Sequence, residues 1–168
     1  QLEGLDLDVP EGAIWPELGL YRDKYLKPFP GIFSETNPSG VTIKRVLSGT
    51  DWGTTESHIA SMPVAIQTQE GVVWVVRWFR SAQGSSKAMA DWAKDVKSGE
   101  GGTQMHVPQW SATAIDRSQW ALADWFTPLG IVAIKGDRGV DWRNSLVKGE
   151  LERERLFFDA NDPDVVEA

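Results

Sequence analysis

At 168 residues, with a formal net charge of −7 and a pI near 4.8, the chain has the size of one domain and can bury a core without staples. It contains no cysteine, which excludes disulfides, thiolate metal sites, iron–sulfur clusters and cysteine nucleophiles. The acidic balance opposes a broad electrostatic grip on nucleic acid or on an anionic membrane, so nucleic acid is not expected as a partner. The longest apolar run, Val72–Val76, is far below the ~20 residues that span a bilayer, so no transmembrane segment is expected.

The first 40 residues are broken by Pro10, Pro16, Pro28, Pro30 and Pro38, yet they are too apolar for a free linker. They are expected to form an arm, residues 1–40, that wraps a core domain at 41–158 or docks on a partner. An acidic tail at 159–168 is expected to fray. Gln1–Pro10 lacks the basic flank and apolar stretch of a signal peptide, and the chain does not begin with Met. The compartment is therefore open, and a soluble protein of the cytoplasm or one exported after processing would both fit.

Val41–Leu47 alternates as a strand, and Ser48–Thr55 (SGTDWGTT) reads as a polar turn or loop. Pro63–Thr68, a tight connection at Gln69–Gly71 and Val72–Arg80 form the strongest hairpin pattern. The second strand of that hairpin is apolar on both faces and is expected to be central and covered on both sides. Strict alternation puts Trp74 and Trp78 on one side of it.

Ser85–Lys97 has the 3.6-residue period of an amphipathic helix, ended by Ser98–Gly99. Met105–Trp110 suggests a short edge strand. Asp116 and Gln119 have the spacing of a capping box, for a helix through Trp120–Phe126 that stops before Pro128. Leu129–Ile134 reads as a further strand, and Asp141–Phe158 as one helix or two that meet near Gly149. The expectation is an α+β fold: a mixed or mainly antiparallel sheet with a central strand near 72–80, packed by two or three helices.

Three places carry usable chemistry. In Lys135–Gly139 (KGDRG) the N–H groups of a glycine-containing turn, with Lys135, Arg138 and Arg143, could hold an anion. The plainer reading is a solvated turn with Asp141 as helix cap, and the Gly-x4-Gly-Lys-Ser/Thr spacing of a P-loop is missing. In Thr50–His58, Asp51, Glu56 and His58 are the candidate catalytic residues, as an acid/base pair or as ligands. The chain has only two histidines, so no metal site and no cofactor is expected, and turn capping is the simpler role.

Nine tryptophans are the compositional anomaly. Trp52, Trp78 and Trp110 are candidate ligand-binding rings, with a glycan as a fitting ligand and burial as the rival explanation.

The reading with the fewest assumptions is a protein-interaction or assembly domain without intrinsic catalysis. It would meet a protein partner or a second copy through Trp15, Tyr21, Tyr25, Phe29 and Phe33. The chain is then more naturally not an enzyme. Two alternatives stand beside it. One is a carbohydrate-binding or glycan-hydrolysing domain that uses exposed tryptophans and carboxylates such as Asp51 and Glu56. The other is an enzyme acting on a phosphate-bearing substrate near residues 135–143.

Overall fold

Alternation of apolar with small or polar residues builds the middle of a seven-stranded sheet in the computed structural model, which describes residues 21–31, 41–55, 58–82, 85–99, 106–136 and 140–168. A one-turn helix α1 (Arg22–Tyr25) leads into β1 (Leu26–Lys27). Then come β2 (Ile43–Thr55), β3 (His58–Thr68), β4 (Val73–Ser81), helix α2 (Ser86–Ser98) and β5 (Trp110–Ile115). After β5 the chain winds through a 3-10 turn (Arg117–Leu122), α3 (Ala123–Phe126) and a second 3-10 turn (Thr127–Leu129). It continues into β6 (Val132–Lys135), α4 (Val140–Glu152), β7 (Leu156–Asp159) and α5 (Pro163–Glu167).

The strand order is β1-β7-β4-β3-β2-β5-β6. β2, β3 and β4 form an antiparallel meander, while β5 and β6 extend it in parallel on one side and β7 and β1 on the other. The α+β expectation with a mixed sheet holds, with parallel pairings outnumbering antiparallel ones. Among the described residues no helix is long and apolar enough to cross a membrane.

β3 shows why the sheet has two unlike faces. Ala60, Met62, Val64 and Ile66 are fully buried on one face, and Ser61, Pro63, Ala65 and Gln67 are half-buried on the other. The first face carries the main core, closed by Met89, Ala93 and Val96 of α2 and by Leu122, Ala123 and Phe126. Ser85 caps α2 by accepting from the Ala88 N–H, and Gly99 ends it at φ 70, in the left-handed region where glycine is favoured. The second face carries a smaller cluster of Tyr25, Val75, Leu151, Leu156 and Val165 at the β7 side.

β4 is interior and covered on both sides through Val76, as its composition implies. Its alternation, however, is broken. Val64 pairs with Arg77 and Ala65 with Val75, so Val76 is an extra residue in a β-bulge. Trp74 therefore packs in the main core against Phe29 and Phe157, whereas Trp78 stacks on Phe158 in the second cluster. The two rings face opposite sides, contrary to the strict-alternation reading.

Three further elements differ from expectation. Ser48–Thr55 is strand, because β3 and β5 both pair with it. The edge strand expected at 105–110 is an interior strand at 110–115. The helical segment expected over 141–158, as one helix or two meeting near Gly149, stops at Glu152, and β7 follows. Residues 159–168 do not trail off: Asp159 and Asp162 are buried, and Val165 of α5 packs in the second cluster.

Candidate functional site

The point where the sheet changes direction lies between β2 and β5. From β2 the chain moves one way through β3 and β4, then α2 brings it back to lay β5 parallel on the other flank of β2. Ligands of open α/β sheets bind beyond the carboxyl ends of strands at such a switch point. There Thr50 pairs with Ile115, so the next residue on each strand path is an aspartate, Asp51 on β2 and Asp116 just past β5. Both line one open cavity of about 700 Å³ on the second face, with Gly49, Ser61, Pro63, Trp78, Ala114 and Gly136 among its other walls.

Buried polar contacts fix this register from below. The Thr50 and Thr113 hydroxyls are 3.0 Å apart in the core, and the fully buried Trp110 donates its indole N–H to Ser48 Oγ at 3.2 Å and to the Ala112 carbonyl at 3.1 Å. A one-residue slip would leave these groups unpaired away from water, at about 1–3 kcal/mol each. At the edge of the cavity, Gly136 N–H donates to the Ile115 carbonyl at 2.7 Å, and a Cβ on Gly136 would lie 3.3 Å from that oxygen. Glycine lets β6 close against the strand that leads to Asp116.

The two carboxylates are placed by different means. Asp116 Oδ1 accepts from the Ser118 N–H at 2.7 Å and from the Ser118 hydroxyl. Asp51 sits at a β-bulge, since Asp51 pairs with Ser61 and Thr54 with Ile59. The Trp52 peptide groups are met by a side chain: its N–H donates to Gln119 Oε1 at 3.0 Å, and Gln119 Nε2 donates to its carbonyl at 3.0 Å. Gln119 thus continues the ladder beyond the end of β5 with an amide that stands in for a peptide unit. The expected capping box is only half present, because Asp116 caps while Gln119 reaches across 67 residues to β2. Gln119 orients the Trp52 peptide that follows Asp51 rather than the carboxylate itself, so replacing it by Ala should loosen that peptide and weaken divalent-cation binding at the pocket by about tenfold, the lower end of what loss of an orienting partner costs at metal sites. Calorimetric titration with Mn²⁺ checks this, and an unchanged affinity would refute it.

Of the residues singled out in the sequence, the fold brings Asp51 and Trp78 to this cavity. Trp52 is half-buried beside it, against the main core. Trp110 is no surface ring but a core residue beneath the site. Lys135 is exposed at the end of β6, opposite Ile115, with its ammonium 5.2 Å over the Trp120 ring. His58 opens β3, and Arg143 lies within α4. Glu56, Arg138, Trp15 and Phe33 lie outside the described residues. Tyr25 and Phe29 are buried within the chain itself, at 4% and 6% exposure, and Tyr21 is exposed. The residue that sequence reasoning missed is Asp116, read only as a helix cap. Its signal, an acidic residue directly after a strand, was hidden because that strand was expected five residues earlier.

Two carboxylates at a strand switch point, open to solvent, suit a hard divalent cation. Mg²⁺ is commonly held by one or two protein carboxylates, with water and substrate oxygens completing its octahedron. Among the described residues there is no cluster of three or more His, Cys, Asp or Glu, so a closed zinc or calcium cage does not fit.

Fold and site together define a mixed α/β domain with an acidic pocket at its strand switch point. No family model and no curated protein matches the sequence. Among solved structures, the large terminase of the thermophilic bacteriophage D6E in complex with ADP superposes with a TM-score of 0.60 at 14% identity, over 87% of this chain and 33% of that chain. The same terminase in the same crystal form, in a structure whose description names no nucleotide, gives 0.58 at 15% identity, over 82% and 32%. At such identities the likeness is one of fold, and this chain spans about a third of the terminase chains.

The finding overturns the expected interaction or assembly domain without catalysis. With it go the expectations of a protein that is not an enzyme and of a structural component. That nucleic acid is not a partner is overturned as well. A net charge averages over the whole surface and does not by itself exclude a phosphate-bearing partner.

Proposed function

We propose that the protein hydrolyses phosphodiester bonds of a nucleic acid at Asp51 and Asp116, with a divalent cation as cofactor. The observation that carries this reading is the convergence of these two carboxylates, from neighbouring parallel strands, in one open cavity. The terminase likeness directs the choice of phosphate ester toward nucleic acid. It shares the substrate class of the phosphate-bearing alternative, which was expected near residues 135–143, and moves it to Asp51 and Asp116.

A bound Mg²⁺ would supply Lewis acidity to a phosphoryl oxygen and lower the pKa of a coordinated water. The protein's part is placement. Asp51 and Asp116 present oxygen donors from two strands locked in register by the Thr50–Thr113 and Trp110–Ser48 contacts. Gly49 and Ala114 keep the floor of the cavity low, which lets a backbone phosphate come close to the carboxylates. The D6E terminase was also solved with ADP and with ATP-gamma-S, but the present sequence lacks the P-loop spacing, so no ATP chemistry is assigned to it.

The direct test is incubation with supercoiled, linear and single-stranded DNA in Mg²⁺ or Mn²⁺. Cleavage that is abolished by EDTA and restored by excess cation is expected. Intact DNA of all three forms under both metals would sink the proposal.

A further inference from the structure

We infer that Trp78 is a stacking platform for an unpaired base next to the scissile phosphate, which makes the substrate of this site a single-stranded or locally opened strand. The inference rests on the proposed hydrolytic reading, since it names the substrate of that same cavity.

Among the described residues, Trp78 is the one aromatic ring that lines the carboxylate cavity. It is held in place before any ligand arrives. Its indole N–H donates to Ser61 Oγ at 2.8 Å, and its ring stacks on Phe158 at 6.5 Å between centroids and 19° between planes. A half-buried ring fixed by an edge hydrogen bond and by a parallel neighbour loses little freedom when a base lies on it.

The position follows from the register. Asp51 pairs with Ser61, and Trp78 pairs with Pro63, two residues further along the same strand. One strand thus separates the two residues, and two strand spacings together with the two-residue offset put their backbones roughly 12 Å apart. That is the scale separating a backbone phosphate from the base of an adjoining nucleotide. The residues between them, Ser61 and Pro63, are compact and leave the path open.

A base inside a duplex is stacked on its neighbours and cannot use such a platform, whereas an unpaired base can. Trp78 also borders a smaller hollow of about 290 Å³ with Phe79, Arg80, Trp92, Asp164 and Glu167. That hollow carries Arg80 beside its two carboxylates, and the strand is placed instead on the side of Trp78 that shares a cavity with Asp51 and Asp116.

The test measures binding, so it is read separately from cleavage. In Ca²⁺, a short single-stranded oligonucleotide carrying 2-aminopurine is titrated with the wild type, Trp78→Ala, Trp78→Phe and Trp78→Met. Methionine keeps apolar contact with Phe158 but offers no ring face, so it covers the case in which alanine disturbs folding. Expected are fluorescence quenching on binding to the wild type, affinity about ten- to a hundredfold lower for Ala and Met, and substantial rescue by Phe. The matching duplex should bind more weakly and be indifferent to the Trp78 substitutions.

Equal single-strand affinity for wild type and Trp78→Met, or tighter binding of the duplex, would overturn the inference. If cation-dependent cleavage persists in that case, only the stacking role is lost. If neither binding nor cleavage is seen, the hydrolytic reading falls with it.

Discussion

Asp51→Asn and Asp116→Asn should each fold as the wild type does and lose cleavage by on the order of a thousandfold, a loss of several kcal/mol of transition-state stabilisation. Asparagine keeps the shape of aspartate and removes its charge. Asp51 is exposed, so the change costs the fold little. In Asp116→Asn the new amide oxygen can still accept from the Ser118 N–H, which preserves the cap. What both variants lose is an anionic donor for a hard cation, so Mn²⁺ affinity should fall together with the rate. Asp124→Asn, an exposed carboxylate on α3 outside the cavity lining, is the control and should leave both unchanged. Full activity in either cavity variant would remove the carboxylate pair from the mechanism.

The largest effect on stability should come from Asp162→Ala. Asp162 is 1% exposed, and its Oδ2 pairs with the largely buried Arg77 guanidinium while its Oδ1 caps α5 by accepting from the Val165 N–H at 3.1 Å. The pair ties the last helix to β4. Removing one partner strands the other charge, and among the described residues Arg77 Nε already lacks a hydrogen-bond partner. The expected loss is about 3–5 kcal/mol, read as a lower urea midpoint at unchanged slope. Replacing both partners by apolar residues, Arg77→Met with Asp162→Leu, should recover much of it, because no charge is then left buried. If the double variant is as unstable as the single one, helix capping rather than the ion pair carries the effect.

These two predictions test different parts of one arrangement. Asp162 and Arg77 act on the β7 side of the sheet, and the carboxylate cavity opens at β2 and β5. Asp162→Ala should therefore reduce the folded fraction and leave cleavage per folded molecule intact.

Elements whose pattern is complete within a short stretch were legible from the residues alone. The 3.6-residue period of α2, with Ser85 as cap and Gly99 as stop, needs no information from elsewhere in the chain. The β3–β4 hairpin is likewise local, with Gly71 at φ 86 making its turn. The apolar character of β4 on both faces also implied an interior strand, because such a segment cannot leave either side to water.

The site was illegible for the opposite reason. Ser48–Thr55 is made of the small polar residues that locally favour turns, and it becomes strand only because β3 and β5 hydrogen-bond to it from both sides. Those same small residues keep the cavity open around Asp51. Asp116 looked like a cap, which it is, and its second position beside Asp51 exists only once β5 lies parallel to β2. The Val76 bulge, which sends Trp74 into the core and Trp78 toward the cavity, leaves no mark in the alternation of residue types. The amino-acid sequence by itself determined the α+β class, the hairpin, the first long helix and the covered strand, because hydrophobic periodicity and capping act over a few residues. The carboxylate pair, the Gln119 clamp and the aspect of Trp78 were decided by tertiary structure, since each depends on which distant strand lies alongside and in what register.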